Sequence, residues 1–337
     1  MPIIQPKHPF AAALVTALFV AACAPHPAAQ PSPLANPSSD VTMGLQQHPD
    51  VAAAVAAVDV ARIRATDSTL AAFGTRHTMS DTMSNTRGIG AARRWIHGQL
   101  MEYSRACNGC LRVEYDTSTA TLRRRSGTLT IPLTNVIAWL PGRDAHRLVI
   151  VSGHYDSCRC QENPRDSTGD APGADDDASG SSAVIELARV FSQKFPHGLD
   201  ATVLFALYAG EEQGLLGSRH LADRLHDEGY TIAGVMTNDM IGSATGQGGR
   251  VDSNTVRIYA GGPDEGVSRE LQRYAWALGR IYQPEFQILP VFRLDRIHRG
   301  SDHIPYYQKG DPAIRFTERV EDYRRQHLPL DTLAAVN

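Results

Sequence analysis

Apolar residues recur at helical spacing early in the chain and gather into short continuous runs further on. Residues 48–73 ("HPDVAAAVAAVDVARIRATDSTLAAF") are alanine-rich with apolar positions at helical spacing, which predicts one or two helices. After a polar loop, Ile89, Ala92, Trp95, Ile96 and Leu100 share one helical face. Strand-like segments follow at 111–118, 128–140 and 147–152, then a long polar loop, 155–182, and a helix at "AVIELARVFSQKF". The run "ATVLFALYAG", rich in β-branched and aromatic residues and bounded by Asp200 and Gly210, reads as a buried strand. A helix around "GSRHLADRLHDEG", strands in "IAGVMTNDMIG" and "TVRIYAG", the helix "GVSRELQRYAWALGRIY" and a strand and loop region complete the pattern. Strands alternating with helices predict an α/β fold with a mainly parallel mixed central sheet covered on both faces, an α/β/α sandwich of three layers.

Length and composition narrow the class. The 337 residues suffice for one large α/β domain or two small ones, and 42% hydrophobic with 20% charged residues is a globular balance. A formal net charge of -3 gives no reason to expect a nucleic-acid partner. The N-terminus stands apart: an apolar segment from Phe10 to Ala22 is too short to span a membrane and reads as a signal-peptide core. Val20, Ala21 and Ala22 before Cys23 resemble a bacterial lipoprotein signal, in which the cysteine is lipidated. This predicts a signal peptide at 1–23 and a disordered Pro/Ala/Ser tether at 24–47. The protein is thus expected to be exported, periplasmic or anchored to the outer membrane through Cys23, with plain secretion as the alternative.

Four cysteines remain after Cys23: Cys107, Cys110, Cys158 and Cys160. An even number in an exported chain predicts disulfides, with three possible connectivities. A structural zinc site is disfavoured by the tight Cys-x-Cys spacing.

Candidate chemistry gathers at strand ends. Glu211 and Glu212 lie side by side just after the buried run, and neighbouring side chains on a turning backbone point different ways. One carboxylate can then hold a metal while the other addresses what the metal holds. "VIVSGHYDS" ends a strand with His154 and Asp156, "APGADDDASG" places Asp175, Asp176 and Asp177 before a helix, and "VMTNDMIG" ends a strand with Asp239. In open α/β sheets, ligands bind at the carboxyl ends of strands. So many carboxylates would repel one another unless divalent cations were bound among them.

The series "GHYDS", "GADDDASG", "GEEQGLLGS", "NDMIG" and "SDHIPYY" resembles the co-catalytic di-zinc aminopeptidases of the MH clan, the family of bacterial leucine-type aminopeptidases, with glutaminyl cyclases as fold relatives. The resemblance covers about residues 85–337 and implies a zinc-exopeptidase fold over a peptidase domain at 48–337. It implies two zinc ions, held by His154, Asp239, Glu212, a bridging Asp176 and a last histidine, His327 of "DYRRQHLPLDT". Glu211 would be the general base, Asp156 would orient the His154 imidazole, and Asp302 and His303 would lie near the site without binding metal. Substrates would be peptides with a free amino terminus; the oligomeric state is left open.

Two departures follow from the same resemblance. A tyrosine that can stabilise the tetrahedral intermediate in related enzymes is here Gln326, leaving Tyr323, Tyr306, Arg315 or the metal alone for that duty. Family members also continue past the last histidine with a further helix, whereas this sequence reaches Asn337 ten residues after His327, which implies a shortened end and an uncovered apolar sheet face. Ser179 is expected to cap the following helix, and Asp170, Asp175 and Asp177 to be solvated or to touch a substrate amine. His77, His97, His220, His226 and His298 carry no expected role. Two rival readings keep the fold: a one-zinc glutaminyl cyclase and a binding module that has lost activity.

Overall fold

The computed structural model describes residues 45–124, 127–297 and 299–337, all within one compact unit spanning 40–337. The expected signal peptide, Cys23 and nearly all of the tether lie outside the described residues, as does His298.

Helix α1 (Pro49–Val55) starts with proline, whose fixed φ suits a first turn, and α2 (Val60–Ala72) starts where the Asp59 carboxylate accepts from the Ala61 and Arg62 amides. Helix α3 (Gly88–Ala106) buries the expected stripe of Ile89, Ala92, Ile96 and Leu100. The remaining helices are α4 (Gly180–Lys194), α5 (Leu216–Asp227), α6 (Val267–Tyr282) and α7 (His303–Lys309). The last was not expected, since its seven residues are too few to display a helical period.

The strands are β1 (Arg112–Arg124), β2 (Gly127–Leu140), β3 (Asp144–His154), β4 (Ala201–Tyr208), β5 (Thr231–Asn238), β6 (Thr255–Tyr259), β7 (Gln287–Val291) and β8 (Ala313–Glu318). They form one eight-stranded sheet in the order β1-β2-β4-β3-β5-β8-β6-β7. Four of the seven pairings are parallel, so the sheet is mainly parallel and mixed, as expected.

Side-chain alternation along the strands divides the core in two. Val136, Ala138, Val203, Phe205 and Leu207 pack against α2, α3 and α4, while Ile137, Trp139, Leu148, Ile150, Leu204 and Ala206 pack against α5 and α7. Each such large apolar side chain contributes roughly 1.5–3 kcal/mol when fully buried. Helix α6 packs over Ile258 and Ile314 through Leu271 and Ala275. On the α4 side a groove of about 840 Å³ is lined by Val149, Val151, Val203 and Met236 of the sheet and Phe191 of α4.

Strands β4, β3, β5 and β8 are mutually parallel neighbours, so their carboxyl ends share one edge. His154 ends β3, Glu211 and Glu212 follow β4, Asp239 follows β5, and the chain leaving β8 leads to His327.

Candidate metal centre

A buried turn, Ala174–Ser179, carries Asp176 from the β3 loop towards α4. The carboxylate of Asp331 fixes it by accepting the Asp175 and Asp176 amides, one on each oxygen, both at 2.9 Å. Asp177 is wholly buried and binds three backbone amides: His154 at 3.1 Å, Gly180 at 2.9 Å and Met240 at 3.2 Å. It thereby ties the end of β3 and the loop after β5 to the start of α4. Only glycine fits at 180, because a Cβ there would lie 2.3 Å from the Asn238 carbonyl oxygen.

Asp176 stands between two imidazoles, with Oδ1 3.2 Å from His154 Nε2 and Oδ2 3.1 Å from His327 Nε2. Its two oxygens address two separate donor groups. His154, Glu211 and Asp239 present ligand atoms within 4.8 Å of one another on one side. On the other, Glu212 Oε2 lies 3.1 Å from His327 Nε2, and Glu212 Oε1 is buried with no hydrogen-bond partner. Asp176, Glu211, Glu212, Asp239 and His327 line a cavity of about 360 Å³ together with Leu215, Arg296, Arg299 and Gln326.

The chain reverses after β4 at Gly210, whose φ of 76° lies in the region that favours glycine. Glu211 and Glu212 then point to different donor groups. Their amides donate to Asp156 Oδ1 and Oδ2 at 3.2 and 3.3 Å, and Thr78 Oγ1 donates to Oδ2 at 3.0 Å. Asp156 therefore orients the glutamate turn. The carbonyl oxygen of Asp156 lies 3.2 Å from His154 Nδ1, nearer than its carboxylate at 3.6 Å, so the imidazole is held chiefly by the backbone.

The electrostatics are those of a site with too many carboxylates. Burial pushes the Glu211 carboxyl well above the usual range, and repulsion from Glu212, Asp302 and Asp239 adds to it, against the opposing His154. Burial raises Glu212 as well. Burial would lower His327, yet Glu212 and Asp176 push it up to about 11; His154 is raised likewise, by Glu211, Asp156 and Asp176. Asp176 itself, which burial would raise, is held well below the carboxylate range by hydrogen bonds from both histidines. The site stabilises positive charge. Oxygen and nitrogen donors in this arrangement suit zinc and related divalent cations, and the orphaned Glu212 Oε1 is an acceptor such an ion would satisfy.

The structure brings His154, Asp176, Glu211, Glu212, Asp239 and His327 together. His303 lies elsewhere: its Nε2 donates to the Leu294 carbonyl at 2.8 Å, behind the Asp295 carboxylate. Asp302 is fully buried, which pushes its carboxyl up to about 7, and neither of its oxygens has a hydrogen-bond partner. Tyr323 is half exposed beside the cavity, its hydroxyl donating to Glu321 and its ring under the Arg299 guanidinium.

Several expectations need correction. Tyr306 is not an oxyanion group, because its hydroxyl is buried against that of Tyr208. Nor is Arg315, which is fully buried between Asp239 and Asp295. Asp175 and Asp177 are buried and bind backbone amides, whereas Asp170 is exposed, as expected, and pairs with Arg87. Ser179 makes no helix cap; its hydroxyl donates to the Asp175 carbonyl and accepts from the Ile241 amide. The disulfides join Cys107 to Cys110 and Cys158 to Cys160. His97 stacks on Tyr115, His220 pairs with Asp116 and His226 with Asp311.

Sequence reading missed Asp331 and took Gln326 only as the position where related enzymes carry a tyrosine. Gln326 Nε2 donates to Asp176 Oδ2 at 2.6 Å while its Oε1 accepts from Arg299 at 2.6 Å. Both residues lie within the quoted "QHLPLDT", so adjacency to the last histidine was the available signal.

Residues 135–337 match peptidase family M28. A probable zinc metalloprotease of Pyricularia oryzae is 37% identical over 88% of this chain and 62% of its own length, and one of Pyrenophora teres f. teres is 36% identical over 88% and 65%. The chain thus spans under two thirds of these relatives. Among solved structures, the LapA aminopeptidase of Legionella pneumophila superposes with a TM-score of 0.63 at 21% identity, covering 87% of this chain and 71% of LapA. A Porphyromonas gingivalis glutaminyl cyclase superposes at 0.58 and 19%, covering 83% and 92%. At these identities the structural likeness speaks for the fold alone.

Proposed function

This chain belongs to peptidase family M28, and from that premise we propose that it is an exported di-zinc metallopeptidase that removes N-terminal residues from peptides. The observation carrying the proposal is Asp176, whose two oxygens face His154 on one side and His327 on the other at 3.2 and 3.1 Å. His154, Asp176 and Asp239 would hold one zinc ion, and Asp176, Glu212 and His327 the second. Bound there, zinc supplies Lewis acidity and lowers the pKa of a water to near neutrality.

The chain's own residues would do the rest. Glu211 has a raised proton affinity and a side chain 13% exposed at the cavity, which suits it to take a proton from the attacking water and return it to the leaving amine. Glu212, beside it, stays ionised as a ligand. The carboxylate surplus suits a substrate ammonium group. Gln326 lines the cavity, its Oε1 held by Arg299 and one Nε2 hydrogen given to Asp176, and its second Nε2 hydrogen would replace tyrosine as the donor to the developing oxyanion. Two disulfides suit the oxidising compartment that export would imply.

The test is zinc content and hydrolysis of aminoacyl anilides, for the protein and for Glu211→Gln. The expected result is two zinc ions in both and a rate about 10²–10⁴-fold lower in the variant. Zinc lost along with activity would make Glu211 a ligand, and one zinc with cyclisation of N-terminal glutamine would replace the reading with a cyclase.

A further inference from the structure

The loop after β3 carries a sulfur into the metal centre. Cys158 lies four residues past His154, is 4% exposed, and its Sγ lies within 4.8 Å of both a Glu212 carboxylate oxygen and a His327 ring nitrogen. Glu212 and His327 are the two residues assigned to the second zinc position together with Asp176, and the Glu212 oxygen Oε1 is buried without a partner. Gln161 fastens this loop to the histidine segment, its side-chain amide donating to the Tyr323 and Gln326 carbonyls at 2.9 and 2.7 Å. The sulfur and the imidazole are therefore held in register by this side-chain clasp.

We propose that the Cys158–Cys160 disulfide masks a further protein ligand of the second zinc position, and that a dithiol unmasks it. While the disulfide is intact, the Cys158 sulfur has no thiolate to offer. Cys160 is the more exposed of the two sulfur-bearing residues, so an external thiolate attacks Cys160 Sγ, forms a mixed disulfide there and expels Cys158 as a thiolate beside Glu212 and His327. The reductant's second thiol, deprotonated, resolves the mixed disulfide, leaving the reductant as its own disulfide and Cys160 as a thiol. Two electrons pass from the dithiol to the protein. A thiolate is a strong, soft ligand for zinc. Reduction thus converts a donor set of carboxylates and imidazole into one that includes sulfur, which binds the ion more tightly and occupies a position that substrate or water would use.

This inference rests on the zinc centre proposed above, and the test separates the two. Cobalt(II) is loaded into a Cys107→Ser/Cys110→Ser protein, oxidised or reduced with a phosphine, and into the same protein carrying Cys160→Ser or Cys158→Ser. The oxidised parent is expected to bind two cobalt ions without a thiolate-to-cobalt charge-transfer band. The band should appear in the near ultraviolet on reduction, appear without reductant in Cys160→Ser, and be absent from Cys158→Ser under both conditions. Two cobalt ions in reduced parent and in Cys160→Ser with no such band would overturn this inference and leave the centre standing. No cobalt in the oxidised parent would overturn both.

Discussion

Two buried groups of charge meet at Asp239, and they are built on opposite principles. In one, Arg315 lies 2.9 Å from both Asp239 and Asp295, Arg257 lies 2.6 Å from Glu321, and Arg296 contacts Asp295 and Glu321. Every carboxylate there has a guanidinium. Burial would raise Asp295 and Glu321, yet both are held below the usual range by those arginines. In the other, Glu211 and Glu212 sit above that range, and the two histidines are the cations that face them. Burial is the same in both; compensation is not. A cluster that balances itself is a brace, and one that does not is waiting for a cation.

That difference predicts opposite responses to losing a charge. Arg315→Met leaves Asp239 and Asp295 buried without their shared cation and is expected to cost about 3–5 kcal/mol in urea unfolding. A loss below about 1 kcal/mol would mean the brace is not what holds this edge. On the metal side, zinc at 100 to 1,000 times its dissociation constant should add about 3–4 kcal/mol to the wild type, lost on chelation. Glu212→Gln should abolish the second ion's share of that increment while leaving the metal-free protein as stable as metal-free wild type or more so, since it removes a charge that burial disfavours. A less stable metal-free variant would place Glu212 with the braced group. Asp331→Asn, which turns one acceptor of the Asp175 and Asp176 amides into a donor, is expected to cost about 1–3 kcal/mol. It should also weaken zinc about 10–100-fold in chelator competition, as loss of a group that supports a ligand does.

The two groups also differ in how much the sequence discloses. His154, Glu211, Glu212 and Asp239 end or follow strands, and strands announce themselves: the run ending at Tyr208 locates Glu211 and Glu212, and "VIVSGH" locates His154. The brace has no such frame. Asp295 and Arg296 lie in an irregular segment after β7, and Arg315, twenty residues on, sits in β8 where an isolated arginine resembles a surface position. Pairing overrode local pattern elsewhere too. The strand-like pattern that starts at 111 ends at 118, yet β1 runs on to Arg124 because Ala120 and Leu122 stand opposite Ile131 and Leu129 of β2. Asp156 stands two residues from His154 in sequence, but its carboxylate also accepts from the amides of Glu211 and Glu212, 55 and 56 residues away. Contacts across the strand edge are set by topology, which a linear motif does not contain.

Asp67 tests whether a guanidinium nearby is enough, or must donate directly. It is 1% exposed, its Oδ1 has no partner, and Arg76 is its nearest compensation. Arg76, though, spends its donors on carbonyls: Tyr155 at 2.7 Å, Gly173 at 2.8 Å, Leu70 at 3.1 Å and Pro172. Burial therefore wins, and the Asp67 carboxyl is pushed up to about 7 from its ordinary value, with Arg76 opposing. A carboxyl raised on folding contributes stability that is complete below its unfolded pKa of about 4 and is lost as pH rises through the folded value. Asp67→Asn cannot ionise and should be spared that loss. Between pH 4 and 8 the variant is expected to gain about 1–2 kcal/mol on the wild type, less than the full shift implies because relaxation and water penetration soften the ionised state. Thermal unfolding across that range, with zinc chelated throughout, reads the gain directly. Parallel curves would mean that Arg76 compensates Asp67 through space as fully as Arg315 compensates Asp295 by contact, and the distinction between balanced and unbalanced burial would then rest on the metal ligands alone.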